Sequence, residues 1–353
     1  MGKAYGLLVN ILEKHKCCLA MIFVQLAFAG MAMFSKVAIT NGMNPYVFVA
    51  YRQAFATITL APFAFFLDRK KADPMSYGLI WKIFLISLFG ITLSLNLYSY
   101  AINYVSATFA SASINTIPTF TFVIAVAFRI ESFSIREFPG IVTFVGSVVS
   151  LSGAMVFAFV KGPQVNFLNW CSGTQQTNVI THLSTKKNWI KGCLLMLSAN
   201  TAWASWLVMQ APLVKQYPAK FRLTTLQCLF SCIQSSIWAM SIERNISSWK
   251  LKWDLNLFSV AYCGVVVTGI SYWLQLWAVE KKGPLYAATF TPLILIFTAI
   301  LSAFMWKEVL YLGSICGGFL LVGGLYCVIW GKNKEAEKKV NEEKTDAKEE
   351  TIV

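Results

Sequence analysis

Residues 106–153 read SATFASASINTIPTFTFVIAVAFRIESFSIREFPGIVTFVGSVVSLSG. They describe an apolar helix with a polar stripe, the basic turn from Arg129–Ile130–Glu131 to Arg136, and a second apolar helix. Ser111, Asn115 and Thr119 lie at i, i+4 and i+8, which puts them on one side of a helix. Pro118 falls in the middle of that helix and is expected to leave a carbonyl without its usual partner. Displaced by 177 residues (Ala110 to Ala287), the plan returns from Gly283 to Trp330. Ile117 falls on Ile294, Phe120 on Phe297, Thr121 on Thr298 and Glu131 on Glu308. Gly140, Val145 and Gly146 then fall on Gly317, Val322 and Gly323 without a gap. Apolar segments match one another by chance, but a shared glutamate and paired glycines do not come so easily. The chain is read as an internal duplication, and the repeat length makes it a doubled membrane bundle rather than a solenoid.

Composition agrees. Of 353 residues, 57% are hydrophobic and only 13% charged, where a soluble domain carries about 25%. Apolar runs of the ~20 residues needed to cross a bilayer recur throughout, so the fold expected is an all-α polytopic membrane protein with the lipid bilayer as its solvent. The net charge of +14 sits in short connectors, where Lys and Arg act as topology signals. No basic face interleaved with aromatics is available to follow a phosphate backbone, so no nucleic-acid partner is expected. The nine cysteines lie mostly within apolar runs and are read as small buried residues. Cys171 and Cys193 flank an outer loop, but their positions alone do not place them within bridging reach.

Ten spans follow: about 17–39, 45–67, 79–102, 107–128, 139–160, 189–214, 223–242, 257–279, 284–306 and 312–330. Residues 1–16 form a short N-terminus, 161–188 a polar linker, and 331–353 a charged tail expected to bury no core and to be disordered. Ten divides into five and five, and an odd number per repeat inserts the second copy upside-down. That is an inverted-topology repeat, the plan on which alternating-access carriers are built. Arg69, Lys70, Lys71, Arg129, Arg136, Lys215, Lys220, Arg222, Lys281 and Lys282 place the termini inside, against Lys186, Lys187, Lys250 and Lys252 outside. The sequon Asn245–Ile246–Ser247 falls in an outer loop under that scheme.

Polar residues within the spans are the candidates for function. Arg52 sits two turns into the second span, where a guanidinium is costly and faces either a wet cavity or a partner. It could take a substrate carboxylate in a bidentate way, or snorkel outward. Asn96 and Asn115 in the first half, and Asn200, Trp203 and Gln210 in the sixth span, form polar stripes. Gln227, Ser231 and Gln234 do so in the seventh span, and Thr268, Ser271 and Gln275 in the eighth. Each stripe is either interhelical glue or the wall of a wet path. Pro118 and Pro292 interrupt the two duplicated helices, and paired interruptions in an inverted repeat point to the binding site. Glycines at 313, 317, 318, 323 and 324 permit close helix contact, within the fold or in a homodimer, with internal packing preferred. No Asp or Glu lies near the middle of a span, and His15 and His182 lie outside them, which favours facilitated movement over tight proton coupling. No metal-ligand cluster, Ser/His/Asp set or phosphate loop is present, so neither an enzyme nor a metal or other cofactor is expected.

The runs Tyr51–Arg52, Phe109–Ala110–Ser111 to Asn115 and Pro118, Trp203–Ala204–Ser205–Trp206 to Gln210, Tyr217–Pro218, and Gly283–Pro284–Leu285–Tyr286 to Pro292 resemble a known family. It is the plant nodulin-21-like branch of the drug/metabolite transporter superfamily, also called UMAMIT or walls-are-thin-related proteins. The resemblance covers about residues 12–332. It implies two EamA repeats, here 17–160 and 189–330, a central cavity between them, and export or facilitated exchange of amino acids. One relative moves auxin. It further implies a plant source and a plasma-membrane or vacuolar location. Arg52, Asn115, Trp203, Gln210 and Gln275 are cavity candidates on both the resemblance and the stripes, with Asn96 added from the stripes. In this expectation Arg52 takes the cargo carboxylate, the Asn and Gln groups take its amino end, and Trp203 and Trp277 wall the site. An auxin or other organic-anion carrier is the alternative within transport. A non-transporting scaffold or receptor is the alternative outside it.

Overall fold

The computed structural model describes residues 2–68, 75–101, 104, 113–130, 138–159, 186–251, 253–306 and 312–352. All regular structure in them is helical. Helices α1 (Gly2–Thr40), α2 (Pro45–Leu67), α3 (Tyr77–Ala101), α4 (Ile117–Ala127) and α5 (Phe138–Phe159) form the first repeat. Helices α6 (Lys186–Gln216), α7 (Lys220–Ile242), α8 (Leu255–Lys282), α9 (Pro284–Thr289, then Leu293–Trp306) and α10 (Leu312–Ile352) form the second. Six of these hold stretches long and apolar enough to cross a bilayer, and shorter apolar helices lie at Ile117–Ala127 and Phe138–Gly153. The 23-residue α7 is not among the six. Its Gln227, Ser231, Gln234 and Ser235 are buried against neighbouring helices, so polarity there is interior to the protein. Outward rows are apolar instead, with Ile58, Phe66, Ile237, Met240 and Phe319 exposed as a lipid-facing surface requires.

The two repeats interlock. α2 packs against α7, α5 against α10, α4 against α6, and the second part of α9 against α1. The α2–α7 pair is antiparallel and pinned at both ends. At one end the Asn44 side chain caps α2 through the Tyr46 N–H and donates its Nδ2 to Glu243 Oε2 at 2.8 Å. At the other, Asp68 Oδ2 accepts the Arg222 backbone N–H at 3.0 Å. The α5–α10 seam is built from glycines. A methyl at Gly324 would lie 2.5 Å from the Ser150 nitrogen and 2.7 Å from the Gly146 carbonyl oxygen, whereas one at Gly323 or Gly318 would meet open space. Internal packing therefore accounts for Gly324, and Gly318 and Gly323 face away from it.

The duplication carries a local irregularity with it. In α3 the segment Ser87–Thr92 is π-helical, and in α8 the segment Cys263–Ile270 is too. These are the same place in the repeat, since Ser87 falls on Gly264 and Thr92 on Gly269. The wide turn of α3 packs on α6 and α7, and that of α8 on α1 and α2. Single π turns are rare and cluster at functional sites.

Two expectations change. The Pro118 helix is not continuous: Asn115–Thr116 is a turn, and Pro118 lies in the first turn of α4, where a missing N–H costs nothing. The stripe is thereby split, with Asn115 buried, Thr119 exposed, and Ser111 outside the described residues. Pro292 likewise sits in the turn Phe290–Pro292 just before Leu293. The two interruptions occupy equivalent places in the repeat although the two prolines do not. Second, the tail after Gly331 is helical as far as Ile352, as a run rich in Lys and Glu can be without a core; Lys334 and Glu337 pair at i, i+3. Glu131, Glu308, Arg136 and Cys171 lie outside the described residues.

Candidate functional site

A cavity of about 200 Å³ lies between the repeats. It is lined from α1 by Gln25, Phe28, Met31, Ala32 and Ser35, from α2 by Arg52, and from α3 by Ser94, Leu95 and Tyr98. Ile114 and Ile117 at the break before α4, Asn200 and Trp203 of α6, Gln275 of α8, and Thr291 and Ile294 of α9 complete it. Both interrupted helices thus present their breaks to the same space. Turn carbonyls that lose helical partners need others. The Ser113 carbonyl accepts the Thr116 N–H at 3.0 Å and the Asn200 Nδ2 at 2.7 Å, so α6 caps the break before α4.

Depth follows from the run of the helices. Gln275 and Thr291 lie nearest the end that carries the chain termini, while Ser35 and Tyr98 lie within about two turns of the opposite end. Gln25, Asn200 and Arg52 are buried and Met31, Ser35, Leu95 and Tyr98 only partly so, so access rises toward the end away from the termini. The terminal end is shut. Leu79, Ile83, Leu213, Val214, Tyr217, Leu223 and Leu276 form a buried apolar cluster there. Lys220 pairs with Glu280 at 2.5 Å, and Lys82 donates to Gln216 at 3.3 Å, across the same end.

Among the described residues Arg52 is the one cation lining the cavity, and it is only 3% exposed. Its Nε donates to Thr268 Oγ1, on the wide turn of α8, and its Nη2 to the Tyr272 hydroxyl at 3.3 Å. α8 can approach this closely because Gly264 rests on the Arg52 carbonyl and on Phe55. Tyr272 belongs to an aromatic group with Trp203 and Trp206, ring centres 4.9–5.5 Å apart, and Phe28 meets Trp203 edge-on at 6.2 Å. Trp203 and Phe28 face the cavity, whereas Trp206 and Tyr272 stand behind them.

Of the residues singled out from sequence, Arg52, Trp203 and Gln275 are brought together at the cavity, and Asn115 is buried beside Ile114 at the break. Asn96 points elsewhere, donating to the Thr92 carbonyl at 2.8 Å and to Ser235 of α7 at 3.4 Å. Gln210 accepts from Gln227 at 3.1 Å, and Gln227 accepts from Trp206 Nε1 at 3.3 Å, a seam between α6 and α7. Trp277 is partly buried and is not among the lining residues; it lies two residues past Gln275, about 200° round the helix. Sequence reasoning missed Gln25, Ser35, Ser94, Tyr98 and Thr291. A lone Gln inside the apolar run 21–34 was the available signal for the first.

Comparison with known proteins gives a consistent picture. The model of the EamA-like transporter family matches residues 15–153 and 190–330, one match per repeat. WAT1-related protein At1g43650 of Arabidopsis thaliana is 52% identical over 340 residues, covering 96% of this chain and 98% of that protein. WAT1-related protein At5g64700 of the same plant is 44% identical over 348 residues, covering 97% of each. A solved crystal structure with 13% identity superposes with a TM-score of 0.67, covering 89% of this chain and 97% of that one, which shows a shared fold.

Proposed function

Because the chain belongs to the EamA-like transporter family and is a multi-pass membrane transporter, we propose that its cargo is amino acids, moved by alternating access without tight proton coupling. The observation that carries this is a cavity shared by both repeats with a buried guanidinium on an apolar and aromatic wall. Arg52 takes the cargo carboxylate, Gln25, Asn200 and Gln275 offer amide oxygens to the amino end, and Trp203 and Phe28 wall the side chain. Both termini lie on the cytoplasmic side of a plasma or vacuolar membrane, so the cavity faces the outer side. The apolar cluster and the Lys220–Glu280 pair close the inner one.

One observation favours a second reading. Among the described residues no carboxylate lines the cavity to receive an ammonium group, which suits an organic monoanion such as auxin.

The test is uptake and efflux of labelled amino acids in proteoliposomes. Wild type should give saturable flux in both directions, unchanged by a proton gradient. Arg52→Ala should lower it about tenfold or more, since a hydrogen bond to a charged group contributes ~1.5–3 kcal/mol. Flux of indole-acetate with none of any amino acid would replace the first reading by the second.

A further inference from the structure

Burying a guanidinium is expensive unless a negative charge and good hydrogen bonds accompany it. Arg52 has the hydrogen bonds but not the charge. Thr268 and Tyr272 are both neutral acceptors. Among the described residues no carboxylate pairs with it: Asp68 accepts the Arg222 N–H, Glu243 the Asn44 amide, and Glu280 pairs with Lys220, all at the ends of the bundle. Deprotonation offers no escape, because guanidinium stays charged in proteins. Two of its five N–H donors are used, and the residue lines the cavity.

We propose that the Arg52 end of the cavity is a binding site for a small monovalent inorganic anion, chloride being the ordinary one, which neutralises the guanidinium between transport events. A planar, weakly hydrated cation in a largely apolar pocket is suited to such an ion. The lining adds N–H and O–H donors from Gln25 and Ser94. A cargo carboxylate and the ion then compete for the same donors, so each cargo molecule that enters releases one inorganic anion. This competition rests on the amino-acid or organic-anion reading above; the anion site itself does not.

The experiment is thermal unfolding of the purified full-length protein in sodium chloride against sodium gluconate at equal ionic strength, paired with chloride-35 line broadening. In wild type, chloride should raise the midpoint saturably and broaden the chloride signal. In Arg52→Gln both effects should vanish. If that variant does not fold, Gln25→Leu, which keeps the guanidinium, should weaken chloride several-fold while folding normally. Equal midpoints in the two salts with no line broadening overturn the site, as does a chloride effect that survives in Arg52→Gln. Adding an amino acid should narrow the chloride signal back toward its free width. Chloride binding that no amino acid reverses leaves the anion site in place and removes the amino-acid reading. Arg52-dependent amino-acid flux without any chloride effect does the opposite.

Discussion

The Thr268 hydroxyl is one of two neutral oxygens that hold a buried guanidinium, and it reaches Arg52 only because Gly264 lets α8 lie on the α2 backbone. Removing it strands a charged donor in a place water does not replace it well, at a cost of ~1–3 kcal/mol. Thr268→Val should therefore lower the midpoint of thermal unfolding in detergent, while Thr268→Ser, which keeps the acceptor, stays close to wild type. Equal stability of the Val and Ser variants would mean that the hydroxyl does not hold Arg52. Gly264→Ala acts one turn away by a different route. Its methyl would lie 2.8 Å from the Arg52 carbonyl oxygen and against Phe55, so overpacking of ~1–3 kcal/mol is expected, with loss of flux as the helix is pushed off Arg52.

Helices α5 and α10 approach through backbone rather than side chains. Gly324 and Gly323 are adjacent in sequence, yet only the first touches α5. Gly324→Ala should separate the pair and destabilise by ~1–3 kcal/mol. Gly323→Ala meets open space and should be neutral or stabilising by up to ~1 kcal/mol, from the better helix propensity of alanine. Comparing the two unfolding midpoints checks the seam, and similar losses in both would contradict it. The duplication, the ten helices and Gly324 of the glycine seam were legible, because periodicity and spacing record them directly, but spacing did not separate Gly324 from Gly318 and Gly323, which face open space. The wide turns of α3 and α8 were not: neither SLFGIT nor CGVVVTGI contains a proline or any other residue that demands an extra residue per turn.

At the scale of the molecule, the cavity reaches toward the end opposite the termini while apolar residues and Lys220–Glu280 shut the other. With the cysteines of the chain replaced, Ser35→Cys should react with an impermeant maleimide in intact cells, and Gln216→Cys only after permeabilisation. The reverse pattern would invert the orientation. The candidate site was legible in part. Arg52, Trp203 and Gln275 were found because a polar stripe or a charge inside a span stands out. Asn96 and Gln210 carry the same signature but bond to α7, and a stripe does not say which neighbour it faces. Gln25 carries no stripe at all.

The paired π-helical segments have one more effect, which concerns phase. Each residue of an α-helix turns the chain by about 100°, so the surplus residue of a π turn sets everything beyond it out of step with what precedes. Ser94, Leu95 and Tyr98 follow such a segment in α3, and Gln275 follows one in α8. Their azimuth is thus inherited from the turn behind them. Excising a single residue from either segment would restore a regular α-helix and leave this part of the lining near its present azimuth, whereas tightening the wide turn without that deletion would swing it about a quarter-turn away.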